Sequence, residues 1–125
     1  MIRRINDSPE LDMMKAYFDW LLIQYPEVYD VTFHVANEGK RSWVHGKEMK
    51  RAGLKAGVSD IIMLYPSGGY HGACIEVKTK DKKPSAVQRV FLHNVSKQNY
   101  YAAWFDDLDE LIRKTREYLE LCEIT

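Results

Sequence analysis

Val58-Ser59-Asp60-Ile61-Ile62-Met63-Leu64-Tyr65-Pro66-Ser67-Gly68-Gly69, followed by Ala73-Cys74-Ile75-Glu76-Val77-Lys78-Thr79, is the stretch on which the reading of the whole chain turns. Both halves are rich in strand formers, and Pro66-Ser67-Gly68-Gly69 is a turn signal between them. Gly57 lets the backbone turn tightly just ahead of Asp60. Side chains alternate across a strand, so Asp60, Ile62 and Leu64 share one face of the first strand. Glu76 and Lys78 share one face of the second, with Ile75 and Val77 on the other. Folded together as a hairpin, the two strands bring Asp60 opposite the Glu76/Lys78 pair.

Two carboxylates and an ammonium so arranged have a chemical meaning. Carboxylates converging at the end of a sheet repel each other unless a cation lies between them, and hard oxygen donors suit Mg²⁺ or Mn²⁺. Lys78 is then placed to orient a water or to neutralise charge developing on a phosphoryl group. Phosphodiester hydrolysis fits that set. The plainer reading makes Glu76 and Lys78 solvent-facing residues of a half-exposed strand and Asp60 the mere start of one, because charged side chains are mostly exposed.

The bulk numbers set the frame. A chain of 125 residues with 46% hydrophobic residues is one domain, 1–125, large enough for a core. Eighteen basic residues balance 18 acidic ones, so the total gives no nucleic-acid footprint. The distribution is less neutral than the sum. Six basic residues from Lys40 to Lys55 (Lys40, Arg41, Lys47, Lys50, Arg51, Lys55) stand against Glu48 alone. From Lys78 to Arg89, Lys78, Lys80, Lys82, Lys83 and Arg89 stand against Asp81, whereas acids dominate from Asp106 to Glu123. A protein with one side facing a polyanion has this asymmetry, although ordinary surfaces also show it. Cys74 and Cys122 have neither metal-site nor redox-motif spacing, which fits a reduced compartment. Nothing resembles a signal peptide or a membrane span, and the expectation is a soluble, cytoplasmic protein.

The remaining segments supply the other layers. Ser8 as N-cap, Pro9 and Glu10 open a helix, whose apolar stripe Leu11, Met14, Tyr17, Phe18, Leu21, Leu22 and Tyr25 runs until Pro26 ends it. Glu10 sits at the edge of that stripe, where its carboxylate serves either the helix dipole or the site. Val31–Val35 reads as a strand, and Trp43–Leu54 as a basic amphipathic helix with Gly53 near its end. His34 and His45 lack the partner spacing of metal ligands and read as packing or surface residues. Ser85 and Gln88 form a capping-box pattern for a helix with the stripe Val87, Phe91, Leu92 and Val95. On the structural reading the Gln88 amide reaches back to that cap; on the functional reading it also faces the Glu76/Lys78 site and positions a water or phosphate, and the two can coexist. Asn99–Phe105 is a further strand, and Asp106-Asp107 caps a closing helix with Leu108, Leu111, Ile112, Thr115, Tyr118 and Leu119 on one face. The order implies an α/β layer with a mixed central sheet and helices on both faces.

With Glu10, Asp60, Glu76, Lys78 and Gln88 in series, the chain resembles the VRR-NUC domain, the virus-type replication-repair branch of the PD-(D/E)xK nucleases. The marks are Pro9-Glu10, 37–42 (Asn37-Glu38-Gly39-Lys40-Arg41-Ser42), 53–60 ending in Val58-Ser59-Asp60, then Ile75-Glu76-Val77-Lys78 and Ser85-Ala86-Val87-Gln88. The form is similar to the small stand-alone members of phages and prophages. Ser59 stands where the family usually has proline, and Met14 where many relatives carry glutamine.

The resemblance implies a restriction-endonuclease-like three-layer core in which Asp60 and Glu76 bind a divalent cation and the Val77 carbonyl completes the shell. It further implies that Lys78 orients the attacking water, that Gln88 supports it, and that Glu10 ligates a metal directly or through water. It implies a homodimer that cuts branched DNA, four-way junctions in particular. The expected activity is therefore a metal-dependent DNA endonuclease using Mg²⁺ or Mn²⁺, with Lys40, Arg41, Lys47, Lys50, Arg51, Lys82 and Lys83 on the DNA backbone. The alternatives are a non-catalytic DNA-binding module that keeps the nuclease fold, and a metal-dependent phosphoesterase acting on nucleotides.

Overall fold

The computed structural model describes residues 8–36 and 43–121. Lys40, Arg41, the rest of the 37–42 loop and Cys122 lie outside the described residues, as do the side chains of Trp43 and His45. The elements are α1 (Pro9–Gln24), α2 (Pro26–Tyr29), β1 (Thr32–His34), α3 (Trp43–Arg51), β2 (Ile61–Met63), β3 (Ala73–Val77), α4 (Ala86–Lys97), β4 (Tyr101–Phe105) and α5 (Leu108–Leu119).

Local chemistry sets most of these boundaries. The Ser8 hydroxyl accepts from the Leu11 N–H, and Pro9 occupies the first turn of α1, where its missing N–H costs nothing. Pro26 ends α1 and, for the same reason, starts the one-turn α2, an element that the apolar periodicity does not reveal. Asp107 caps α5 by accepting from Glu110 N–H at 3.0 Å.

The sheet has the order β1-β2-β3-β4. Its first three strands run antiparallel, with Ile61 opposite Ile75 and Phe33 opposite Ile62, so the hairpin is formed as expected. Its strands are shorter than the run of strand formers: β2 holds only three residues, and β3 ends at Val77. β4 lies parallel to β3, and α4 supplies the crossover that a parallel pair requires. The sheet is thus mixed and open.

One face carries the core. Ile61, Met63, Ala73, Ile75 and Val77 pack against Met14, Tyr17 and Leu21 of α1 and Leu111 and Tyr118 of α5, all of them buried. Thr115 donates its hydroxyl to the Leu111 carbonyl at 2.8 Å, so it must accept from the Tyr17 hydroxyl 2.9 Å away. Burial pushes the Tyr17 phenol up to about 12. Two stripe residues depart from expectation: Leu22 is 48% exposed, and Val87 on α4 is 51% exposed. Leu22 falls off the arc centred on Tyr17 and Leu21, and Val87 lies against Gly57 outside the core cluster. The aromatic segment of β4 is divided, with Phe105 buried and Trp104 on the exposed side.

Candidate active site

Ile61 pairs with Ile75 in the antiparallel ladder, so one step further along the strands Asp60 comes opposite Glu76. Opposed residues of an antiparallel pair project to the same face, which puts both acids on the side of the sheet away from the core. Asp60 is tied on both sides. Its carbonyl accepts from Val35 N–H at 2.7 Å, and its carboxylate Oδ2 accepts from Val77 N–H at 2.8 Å. The carboxylate thereby continues the β2/β3 ladder past the last backbone pair.

Glu76 departs furthest from the plainer reading of the sequence, for it is only 1% exposed. Because α4 covers this face of β3, the strand is buried along its whole length. Gln88 on α4 donates from Nε2 to Glu76 Oε1 at 3.2 Å, while Glu76 Oε2 is buried with no N–H or hydroxyl donor against it among the described residues, and the carboxyl's other hydrogen-bond neighbour is the Asp60 carboxyl. Burial, and after it the Asp60 carboxylate, push the Glu76 carboxyl up to about 9; Lys78 pulls it back and Glu10 adds a smaller push. With no cation beside it, the Asp60/Glu76 pair is driven toward holding a proton that a solvent-exposed carboxylate would release.

The capping box opening α4 is formed as its sequence implies. The Ser85 hydroxyl accepts from Gln88 N–H at 3.3 Å, and Ser85 N–H donates to Gln88 Oε1 at 2.8 Å. Gln88 therefore serves the cap and Glu76 at once. Ser59, in the place where proline was usual, is fully buried beside Cys74, whose thiol is pushed up by burial and drawn back by the Ser59 hydroxyl.

The structure brings together Asp60, Glu76 and Gln88 by direct contact, with Lys78 half-buried on the same face and Glu10 close enough for its charge to act on Glu76. It does not bring His34 to them, which is exposed on β1. Lys47, Lys50 and Arg51 are exposed on α3, and Lys82 and Lys83 are exposed in the turn before α4.

A divalent cation fits this arrangement. An ionised Glu76 beside Asp60 needs a positive partner, and Oε2, with no donor against it, supplies a hard oxygen. No group of three or more His, Cys, Asp or Glu side chains converges to form a cage among the described residues. A site of two carboxylates is suited to Mg²⁺ or Mn²⁺, which take their remaining ligands from water, backbone carbonyl or substrate phosphate.

The fold is an α/β domain with a pair of acids on the sheet face that α4 covers. A solved structure described as "VRR_NUC domain protein" has this fold: the two superpose with a TM-score of 0.81 over 97% of this chain and 96% of that one, at 22% sequence identity. The chain accordingly has the VRR-NUC fold that the motif series implied. No protein-family model matches the sequence, and no curated protein matches it. No helix among the described residues is long and apolar enough to cross a membrane.

Proposed function

We propose that the protein is a metal-dependent DNA endonuclease that hydrolyses phosphodiester bonds in branched DNA, four-way junctions foremost, and acts as a homodimer in phage or prophage replication, recombination or repair. The observation that carries the reading is the pairing of a half-buried Asp60 with a buried Glu76, whose Oε2 meets no donor or cation, beside Lys78 on one sheet face. A structural ion pair would have satisfied that oxygen.

Asp60 and Glu76 would hold the cation, with the Val77 carbonyl as a further ligand and Glu10 joining through water. The bound metal supplies Lewis acidity and lowers the pKa of a coordinated water. Gln88 would keep the Glu76 carboxylate oriented by the bond to Oε1. Lys78 orients the attacking water and stabilises the charge that accumulates on the phosphoryl oxygens. The water oxygen forms a bond to phosphorus as the bond from phosphorus to the leaving sugar oxygen breaks, and the water's proton passes to solvent. Lys47, Lys50 and Arg51 of α3, together with Lys82, Lys83 and the pair Lys40 and Arg41, contact the phosphate backbone and give sequence-blind affinity.

The test is cleavage of a four-way junction beside linear duplex, flap DNA and nucleoside phosphates, in Mg²⁺, Mn²⁺ or chelator, with sedimentation to count subunits. Paired symmetric nicks in the junction by a dimer are expected. Preference for the nucleotide phosphates, or metal-independent binding without any cleavage, would replace the proposal by one of its two alternatives.

A further inference from the structure

Gln88 connects the first turn of α4 to Glu76, and the connection has a direction. A backbone N–H can only donate, so the Ser85 N–H must face the oxygen end of the Gln88 amide. The nitrogen end is then fixed toward Glu76 Oε1 as a donor. With that N–H removed, either orientation of the amide is open, and one of them sets an amide oxygen against a carboxylate oxygen.

The same turn is held from a second side. Gly57, with φ +80°, lies so close to α4 that a β-carbon there would come 2.5 Å from Val87 Cγ1 and 2.7 Å from the Val87 carbonyl oxygen. Val87 is the neighbour of Gln88, and Gly57 precedes Asp60 by three residues. One backbone contact therefore locks the loop that delivers the first carboxylate to the turn that orients the second.

We infer that Ser85 and Gly57 are positioning residues of the carboxylate pair: the Ser85 N–H orients the Gln88 amide so that its donor end holds Glu76 Oε1, leaving Oε2 to a divalent cation shared with Asp60, and Gly57 sets the distance of that turn. The inference rests on the reading of Asp60 and Glu76 as cation ligands. Ser85 acts through its backbone, and its hydroxyl only caps the helix. Its φ of −69° and ψ of 169° are values that proline adopts. Ser85→Pro thus removes the N–H along the same backbone path, while Ser85→Ala removes the hydroxyl alone.

The experiment measures Mn²⁺ affinity by titration calorimetry for wild type, Ser85→Ala, Ser85→Pro and Gly57→Ala. In parallel, the Gln88 side-chain amide is followed by ¹⁵N NMR in metal-free protein, with and without Glu76→Ala. Ser85→Ala is expected to bind Mn²⁺ close to wild type, and Ser85→Pro and Gly57→Ala to bind about tenfold more weakly, as weakened support behind a ligand does. The Gln88 amide resonances should respond to Glu76→Ala in wild type and Ser85→Ala, and lose that response in Ser85→Pro. Equal affinities for Ser85→Ala and Ser85→Pro, with Gln88 resonances alike, would overturn the inference. If Ser85→Pro does not fold, wild-type affinity and a wild-type Gln88 signal in Gly57→Ala overturn it instead. Wild type that binds no Mn²⁺ while Gln88 still reports on Glu76 would remove the cation reading and leave the orienting role of Ser85 in place.

Discussion

Asp60 and Glu76 stand opposite each other one step beyond the last β2/β3 pair, and the Asp60 oxygen that accepts from Val77 N–H continues the ladder on which Glu76 sits. The acid at position 60 therefore has a role in the sheet and, under the proposed function, a second one in the site. Substitutions that separate them are more informative than simple truncation.

Asp60→Ala leaves the Val77 N–H without its acceptor and should cost about 1–3 kcal/mol of stability in addition to activity. Asp60→Asn keeps an amide oxygen for that N–H. It should melt near wild type and lose roughly a thousandfold or more in cleavage rate, the equivalent of several kcal/mol of charge stabilisation. Thermal melts and single-turnover cleavage of the two variants check this.

The buried Glu76 predicts a specific pH dependence for protein kept in chelator. Its carboxyl is raised from 4.5 to about 9 in the folded state, so between those values the folded chain holds a proton that the unfolded chain has released. Stability should fall as pH rises through that window, by at most about 1.4 kcal/mol per pH unit for one proton. Glu76→Gln needs no proton and should flatten the curve. Denaturant titrations from pH 5 to 9 measure it.

Lys78 is half-buried on the Glu76 face and lowers the acid's proton affinity by its charge. Lys78→Ala should reduce the cleavage rate by about a hundredfold or more, the usual loss when a group stabilising transition-state charge is removed, with junction affinity little changed. Rate and equilibrium binding measured on the same junction separate the two effects.

The exposed bases of α3 and of the turn before α4 should govern affinity rather than rate. Replacing Lys50 and Arg51, or Lys82 and Lys83, by Gln should lower the slope of log affinity against log salt by about one for each phosphate no longer neutralised, regardless of DNA sequence. Fluorescence anisotropy across a salt series gives that slope.

Signals that depend on neighbours along the chain were legible before the structure was known. Ser8-Pro9 at the start of α1, the Ser85/Gln88 box and the turn at Pro66–Gly69 each satisfy a local hydrogen-bonding or dihedral requirement, and each stands where its sequence puts it. The opposition of Asp60 and Glu76 follows from that turn and the two-residue period of strands. What escaped is tertiary. Strand propensity at Val58 and Leu64 does not say how many residues find a partner, so β2 is shorter than its apolar run. The burial of Glu76 depends on α4 lying over β3, and no pattern within 73–79 encodes that. Val87 has the right period for a buried stripe but is 51% exposed, with its Cγ1 and carbonyl against Gly57 instead of the core. Gly57 itself reads only as freedom to turn; its contact with Val87 joins positions 30 residues apart in the chain.

The most direct measurement is cleavage of a four-way junction by wild type and by Asp60→Asn at equal concentration, in Mg²⁺ and in chelator. The account predicts nicking by wild type in Mg²⁺ alone, and none above background by a fully folded Asp60→Asn. Cleavage by Asp60→Asn at the wild-type rate, or by wild type in chelator, would contradict the assignment of the Asp60/Glu76 pair as the catalytic cation site.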